Sequence, residues 1–213
     1  MNVIQAPSPN HNERAKPISL IVLHYTGMES GEAALARMRD PDAGVSAHYM
    51  VEEDGRVFQL VDESRRAWHA GVSEWAGETD INSVSIGIEI VNGGHDFGLP
   101  DYPQAQIDVV ISLVKEIMFR HDIAPHRVVG HSDVAPGRKQ DPGEKFPWAL
   151  LGEAGCCLFP ETPGETGDAS AQLAAIGYGF DAGGPAVVAA FQRRYRPARI
   201  DGNLDPETRG LIA

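Results

Sequence analysis

The stretch VVGHSDVAPGRKQDPG, residues 128–143, places a short apolar segment directly before His131, Lys139 and Asp141. A neutral imidazole and a carboxylate are both good ligands for zinc, and the lysine adds a positive charge on the same loop. Two ligands do not complete a hydrolytic zinc centre, in which three protein side chains leave one position for water. We therefore expect a third ligand elsewhere, and His24, at the end of the mostly apolar run ISLIVLH, is the best candidate.

Length and charge limit the class of protein. The chain has 213 residues, of which 42% are hydrophobic and 23% charged, which is typical of a soluble globular protein with one domain of about 150 residues and a small appendage. The net charge of −12 offers no general positive field, so we expect no nucleic-acid partner. No apolar run reaches the roughly 18 residues of a membrane helix, so we expect no membrane insertion.

The start of the chain and its cysteines carry two further expectations. The N-terminus, MNVIQAPSPNHNERAKP, lacks the basic start and apolar core of a signal peptide, which favours a cytoplasmic location. An export signal ahead of this sequence would make a periplasmic or exported location the alternative. Cys156 and Cys157 are adjacent, and a disulfide is hard to form across one peptide bond. We expect both to be structural, with a metal role as the lesser alternative.

Periodicity and turn signals predict a series of strands and helices along the first 150 residues. The loop at residues 65–82 is long, irregular and rich in Trp and Gly, and such loops are more often functional than structural. The predicted elements are an extended arm over 1–17, a buried strand over 18–24, a helix over 32–39, a hairpin over 45–60 with an Asp-Gly turn, a strand over 84–92, a helix from Pro103 to about 122, and a strand over 127–130.

Glu89 lies in the alternating stretch VSIGIEIVN, residues 84–92. Ile86, Ile88 and Ile90 share one face of this strand, and Glu89 lies on the other, next to a glycine that leaves space. The pattern alone leaves two interpretations open. The carboxylate either faces solvent or lines a groove.

The last part of the chain changes character. Residues 152–168 are rich in Gly, Pro, Glu and Thr without periodicity, and we interpret them as a linker. Residues 169–213 then predict three short helices, at 169–176, 185–194 and 206–212. These helices hold no convincing cluster of catalytic groups.

The chain resembles the zinc-dependent N-acetylmuramoyl-L-alanine amidases of the amidase-2 family, which are related to phage T7 lysozyme and the peptidoglycan recognition proteins. The resemblance covers residues 18–150 and rests on IVLHYTG, VSAHYMVEEDGRVFQLV, RAWHAGVSEW, NSVSIGIEIVN and VVGHSDVAPGRKQDPG, in the family's order. Residues 169–213 are similar to the three-helix peptidoglycan-binding module through LAAIGYGF, VVAAFQRRYRP and IDGNLDPETRGLI.

The resemblance implies an α/β fold with a mixed central β-sheet flanked by helices, plus a small C-terminal three-helix domain. The expected division is a catalytic domain at 1–151, including the arm at 1–17, a linker at 152–168 and a peptidoglycan-binding-like domain at 169–213. One zinc ion (Zn²⁺) would be held by His24, His131 and Asp141. The cysteines are not expected to be ligands.

The resemblance also implies two catalytic residues. Glu89 falls where the amidase subgroup carries an acidic catalytic residue, and Lys139 falls where the family carries a lysine near the scissile carbonyl. The T7-like relatives have a tyrosine just before the histidine that matches His48. Ala47 stands there in this chain, which fits Glu89 taking the corresponding role.

The implied reaction is hydrolysis of the amide between N-acetylmuramic acid and L-alanine in peptidoglycan or muropeptides. His69, Trp68 and His48 are candidates for substrate contacts, although burial is the default for large aromatics such as Trp68 and Trp75. The remaining histidines are expected to be structural: His11, His95, His121 and His126.

Three alternatives stay open at this stage. A non-catalytic muropeptide-binding protein could keep the same fold, but its signature, loss of a zinc ligand, is not present. A zinc hydrolase could act on another amide, and only the peptidoglycan-binding-like tail speaks against it. The substrate could be intact wall or 1,6-anhydro-muropeptides released for recycling. We expect a monomer.

Overall fold

The computed structural model describes residues 1–159, 164, 167–179 and 181–213. The strands in these ranges are β1 Val3–Gln5, β2 His11–Glu13, β3 Leu20–Tyr25, β4 Tyr49–Val51, β5 Val57–Gln59, β6 Arg65–Ala67, β7 Ser85–Ile90 and β8 Val128–Gly130. The α-helices there are α1 Gly31–Arg39, α2 Ile81–Val84, α3 Gln104–His121, α4 His131–Val134, α5 Trp148–Glu153, α6 Ala169–Ile176, α7 Pro185–Tyr195 and α8 Pro206–Ile212.

Six strands form one mixed sheet in the order β1-β5-β4-β7-β3-β8, which confirms the predicted α/β class with a mixed central sheet. The predicted hairpin is present as the antiparallel pair β4 and β5, and the other neighbours pair in parallel. In the register of β3 and β7, His24 lies opposite Glu89. Because β7, β3 and β8 are parallel, their carboxyl ends meet at one edge of the sheet, where open α/β sheets place their ligand sites.

Alternation along the central strands gives each face of the sheet its own core. Ile86, Ile88 and Ile90 of β7 pack on one face against helix α3, whose inward positions include Ile107 and Val114. Pro103 precedes this helix and Asp122, with a φ of 52°, ends it. The opposite face carries His24 and Glu89, so the chemistry lies on the side away from α3.

The opposite face is covered by α1 and by the three C-terminal helices. Leu20, Val22 and Val129 of the sheet share a buried cluster with Leu173 and Phe191 of the tail. All three predicted tail helices form, within one residue of the predicted ranges. The tail therefore packs directly on the sheet, while its assignment as a separate domain stays a prediction.

The expected boundary at residue 151 falls within helix α5, and the division into domains stays a prediction. Helix α5 extends to Glu153, and Cys156 and Cys157 are free thiols buried in the core against α3. Their burial agrees with the expected structural role. Of the predicted linker, residues 160–163, 165 and 166 lie outside the described residues.

Two stretches hold more regular structure than the sequence predicted. The arm at 1–17 contributes β1 to the edge of the main sheet and β2 to a second, two-stranded sheet with β6. The loop at 65–82 contains β6 and α2. Strands of three residues are too short to show an alternating pattern, and the four-residue helix α2 is too short to show a helical one, which explains both differences. None of the helices in the described ranges is long and apolar enough to cross a membrane.

Candidate metal centre and catalytic cleft

The carboxyl ends of β3 and β8 bring His24, His131 and Asp141 together in space. The Nδ1 atom of His24 lies 3.0 Å from Nδ1 of His131 and 2.9 Å from Oδ2 of Asp141. That Oδ2 atom is also 2.9 Å from Nδ1 of His131. The exposed fractions of the three residues are 1%, 3% and 6%, respectively. Their polar atoms therefore face each other and have little contact with bulk water.

The outer nitrogen of His131 fixes which ring nitrogen carries the proton. Its Nε2 lies 2.9 Å from the carbonyl oxygen of Ala70. A carbonyl only accepts, so Nε2–H is the donor, and in the neutral ring Nδ1 carries a lone pair. That lone pair points into the cluster.

A chain of hydrogen bonds fixes His24 in the same way. Ser85 donates its hydroxyl proton to the carbonyl of Ile81 at 2.5 Å and can accept from Nε2–H of His69, 3.1 Å away. The Nδ1 atom of His69 is then the acceptor for Nε2–H of His24 at 3.0 Å. Burial lowers the pKa of His24 to about 4, so its ring is neutral and Nδ1 also presents a lone pair.

The cluster thus consists of three acceptors that face each other at hydrogen-bond distance. Oδ2 of Asp141 lies 2.9 Å from both ring nitrogens, and a carboxylate oxygen offers them no proton. Three converging lone pairs repel one another unless a cation lies among them. Two imidazoles backed by outer hydrogen bonds and one carboxylate form a donor set that suits a metal ion.

Glu89 faces the cleft beside this cluster. Its side chain is half-buried, and its Oε2 atom has no hydrogen-bond partner within the described residues. Burial, together with the charge of Asp141, raises the pKa of Glu89 well above its ordinary value, and Lys139 acts in the opposite sense. Of the two interpretations that the sequence left open, the structure therefore favours the groove.

An open cleft of about 470 Å³ contains Glu89 and the three clustered residues. That volume is in the range of small-molecule sites. Lys139 is partly exposed on its wall, and its ammonium makes no ion pair with any residue that the structure describes. The wall also includes Arg37 and Arg138, which give the cleft cationic groups in an otherwise acidic protein.

His69 and Trp68, both predicted to contact substrate, differ in what they offer to it. Trp68 is half-exposed on the cleft wall, with its Nε1–H donated to Asn12 at 2.8 Å. His69 reaches the same wall, but both of its ring nitrogens are already engaged, with His24 and Ser85. The structure thus places His69 behind His24, where its hydrogen bond orients the His24 ring.

The space beside Glu89 that the sequence predicted at Gly87 is filled by His69. A Cβ atom at Gly87 would lie 2.5 Å from the ring of His69. His48 does not reach the cleft. It is fully buried, accepts from the backbone N–H of Gly87 at 3.0 Å and contacts the Arg14 guanidinium at 2.9 Å.

Tyr25 and His95 are among the wall residues that the sequence did not predict. Tyr25, next to His24, contacts His95 through its hydroxyl at 3.0 Å, and His95 Nε2 lies 3.0 Å from Glu144. Both line the cleft, although His95 was expected to be structural only. The sequence carries one signal for this contact, the Gly93-Gly94 pair just before His95. In the structure, a Cβ atom at Gly94 would lie 2.6 Å from the Tyr25 ring, so the close approach of the two segments requires a glycine there.

His11, His121 and Trp75 make contacts that agree with structural roles, whereas His126 is exposed. His121 lies 2.6 Å from Glu63, and His11 accepts from Arg65 at 3.3 Å. Trp75 is buried in an edge-to-face contact with Tyr178.

Comparison with known proteins adds relatives to this geometry. The family described as N-acetylmuramoyl-L-alanine amidase (Amidase_2) matches residues 14–144. The N-acetylmuramoyl-L-alanine amidase AmiD of Escherichia coli K12 is 35% identical over 225 residues, covering 91% of this chain and 80% of AmiD. The 1,6-anhydro-N-acetylmuramyl-L-alanine amidase AmpD of Enterobacter cloacae is 36% identical, over 67% of this chain and 84% of AmpD.

A solved structure is similar along nearly the whole chain. AmpDh3 from Pseudomonas aeruginosa, in complex with an anhydromuramic pentapeptide, superposes with a TM-score of 0.81 at 35% identity. The match covers 92% of this chain and 90% of AmpDh3.

Proposed function

Because the chain belongs to the N-acetylmuramoyl-L-alanine amidase family and hydrolyses the amide bond for which that family is named, we propose that it uses one zinc ion held by His24, His131 and Asp141. The observation that supports this proposal is the convergence of three buried lone-pair donors within 3.0 Å of one another. When bound, zinc acts as a Lewis acid that polarises a carbonyl and lowers the pKa of water from ~15.7 towards ~7.

Glu89 is the general acid–base of this proposal. Its Oε2 atom is buried without a hydrogen-bond partner among the described residues, so it is available to a proton of water or substrate. Its raised pKa suits a group that takes a proton from the attacking water and then delivers it to the leaving amine of L-alanine. Such a group contributes on the order of 10²–10⁴-fold to the rate.

Lys139 stabilises negative charge on the carbonyl oxygen of the scissile amide. Its ammonium lies on the cleft wall on the same segment as Asp141 and is close enough to shift the pKa of Glu89. A fixed positive charge aimed at an oxyanion acts mainly in the transition state, where that charge develops.

The proposed substrates are muropeptides, including the 1,6-anhydro form, and the proposed role is peptidoglycan turnover or recycling. Support comes from AmpDh3, solved with an anhydromuramic pentapeptide, and from AmiD, solved with anhydro-N-acetylmuramic acid-L-Ala-D-gamma-Glu-L-Lys. Trp68, half-exposed on the cleft wall, offers a surface on which a sugar ring can stack. Since one copy of the chain supplies the whole site, we propose that it acts as a monomer.

The tail at 169–213 is proposed to bind peptidoglycan. A preference for soluble fragments would fit the predicted cytoplasmic location, and a preference for intact wall would fit an exported enzyme. Sacculus binding by the inactive Glu89→Gln protein, in the presence of excess soluble muropeptide to occupy the cleft, tests the tail. Binding that persists supports a second binding surface, and complete displacement contradicts it.

The experiment for the activity is mass spectrometry of products formed in H₂¹⁸O from sacculi and from anhydro-muropeptides. Amide hydrolysis places ¹⁸O in the lactyl carboxylate of the muramic acid and releases a stem peptide with a free amine. A chelator should abolish release, and zinc should restore it. Cleavage that is insensitive to chelation would contradict the zinc proposal, and no cleavage of either substrate by zinc-loaded protein would contradict the activity.

A further inference from the structure

Helix α7 of the tail lies along the segment that carries two of the three proposed ligands. This segment, residues 131–144, begins with His131 and includes Asp141. At its middle, Gly137 approaches Ala186 so closely that a Cβ atom there would lie 3.2 Å from the alanine methyl. The consecutive residues Arg193 and Arg194 of α7 contact the two ends of the segment.

The first end is held by a cluster around Asp133. Its Oδ2 atom accepts from the Arg194 guanidinium at 2.9 Å and from the backbone N–H of Gly130 at 2.8 Å. Its Oδ1 atom accepts from the hydroxyl of Tyr178 at 2.7 Å. Asp133, Arg194 and Tyr178 are all nearly fully buried, so each donor is directed at the carboxylate and not at water.

Arg194 ties this cluster to the sheet itself. Its second terminal nitrogen donates to the carbonyl of Val128 in β8 at 3.2 Å, and its guanidinium lies 4.0 Å from the centre of the Trp148 ring. Helix α4 contains both His131 and Asp133. The N–H of Ser132, which lies between them, donates to the carbonyl of Asp141 at 2.9 Å. Displacing Asp133 would therefore disturb both ligands.

The second end is contacted at the rim of the cleft. Arg193 lies 3.7 Å from Glu144, three positions beyond Asp141, and Glu144 in turn contacts His95, which contacts Tyr25. The tail thus approaches the ligand segment on both sides.

We propose that Tyr178 and Arg194 are positioning residues of the metal centre, which hold Asp133 and through it the turn that presents His131. This inference rests on the proposed zinc site and adds to it a role for the tail. If it holds, the C-terminal helices are part of the catalytic unit in this chain and not only an attached binding module.

The test compares two variants that each lose one tyrosine hydroxyl bonded to a carboxylate at 2.7 Å. Tyr178→Phe removes the bond to Asp133, and the matched control Tyr49→Phe removes the bond to Glu63, away from the cleft. Tyr178→Phe keeps the buried ion pair and the ring packing, so it is expected to fold. Zinc affinity of the metal-free full chain is measured by competition with a chromophoric chelator.

We expect Tyr178→Phe to bind zinc roughly tenfold more weakly than the unmodified chain, which is the usual effect of residues that support metal ligands from outside. The zinc affinity of the control Tyr49→Phe should stay within about twofold of that of the unmodified chain. The melting temperatures of the two metal-free variants should fall by similar amounts. Excess zinc should restore the kcat of Tyr178→Phe, with KM for a soluble muropeptide unchanged throughout. Arg194→Lys keeps the positive charge but loses hydrogen-bond donors, so it should weaken zinc binding more than Tyr178→Phe does.

Equal zinc affinity in Tyr178→Phe and Tyr49→Phe would overturn the positioning role while leaving the zinc site intact. A loss of kcat that excess zinc does not restore would also overturn it. Absence of zinc binding by the unmodified chain would overturn the proposed metal and the positioning role together.

Discussion

Asp133 and Asp141 are buried on the same segment, yet they have opposite kinds of neighbours. Asp133 accepts from a backbone N–H, a tyrosine hydroxyl and a guanidinium. Asp141 faces two imidazole nitrogens whose outer partners leave lone pairs pointing towards it. The first carboxylate is satisfied by the protein itself, and the second needs a cation. A buried carboxylate that is paired like Asp133 stabilises the fold, whereas one that is unpaired like Asp141 identifies the candidate metal site.

Asp141→Asn should have the largest effect on activity and the smallest on the fold. The amide removes the anionic ligand, and its NH₂ can donate to an imidazole lone pair. We expect zinc binding to be lost and the rate to fall by at least on the order of 10³-fold, which corresponds to several kcal/mol of lost Lewis-acid stabilisation. The metal-free protein should melt at the same temperature or higher. Zinc stoichiometry and calorimetry measure the two effects, and a variant that keeps one tightly bound zinc would remove Asp141 from the ligand set.

Glu89→Gln separates proton transfer from metal binding. The expected loss in kcat is about 10²–10⁴-fold, the range for a general acid–base, with zinc content unchanged. Stopped assays with a soluble muropeptide measure the rate, and metal analysis of the same sample is the control. A rate within a few-fold of the unmodified chain would exclude the catalytic role.

Asp133→Asn should show the reverse of the Asp141 result. It leaves the Arg194 guanidinium buried without its counter-charge, and breaking a buried ion pair in this way costs about 3–5 kcal/mol. The folded fraction should still bind one zinc ion, although less tightly. Urea unfolding measures the free energy. The double variant Asp133→Asn, Arg194→Met removes both charges, so it should recover much of the loss, and failure of that recovery would contradict the ion-pair explanation.

His69→Phe tests the residue behind His24, one of the three proposed ligands. The phenyl ring keeps the shape that packs against Gly87 but cannot accept from Nε2–H of His24. Zinc affinity should fall about 10–100-fold, as for other residues that orient metal-bound histidines, and KM for a soluble muropeptide should stay nearly constant. A raised KM with unchanged zinc affinity would instead restore the predicted substrate contact.

Glu63→Gln gives the smallest expected effect. Like Asp133, Glu63 is a carboxylate that accepts hydrogen bonds from several donors of the protein itself. Burial would raise the pKa of Glu63, but hydrogen bonds from Arg120, Tyr49 and His121 outweigh burial and lower it to about 2. Because the pKa of Glu63 is lower in the folded protein than its value of 4.5 in the unfolded chain, the ionised carboxylate stabilises the fold at any pH above about 5. This contribution is lost as the pH falls from about 5 to 2. With allowance for solvent screening, the contribution is about 1–2 kcal/mol. Unfolding midpoints from pH 2 to 7 should therefore be less pH-dependent in the variant, and parallel curves would contradict the assignment.

The sequence was most informative where one short segment carries its own signal. The pattern of His131, Lys139 and Asp141 after an apolar segment identified the candidate site, and the alternation around Glu89 placed that residue on the correct face. The hairpin at Asp54-Gly55 and the helix after Pro103 were predictable because local turn chemistry and periodicity determine them.

What could not be predicted depends on contacts between distant parts of the chain. His48 and His69 each lie within family-like motifs, and nothing local shows that one is buried against Arg14 while the other bonds to His24. Arg194 has the position of a surface cation in the last turn of a helix, since its buried partner Asp133 lies far away in sequence. The three-residue strands β1, β2 and β6 exist only because neighbouring strands supply their hydrogen bonds.

The most direct measurement is an anomalous difference map, collected at the zinc edge, from crystals of the zinc-loaded protein. We predict one strong peak, about 2.0–2.2 Å from Nδ1 of His24, Nδ1 of His131 and a carboxylate oxygen of Asp141, with His69 outside the coordination shell. A peak ligated through Nε2 of either histidine, a peak that includes His69, or no peak at this cluster would contradict it.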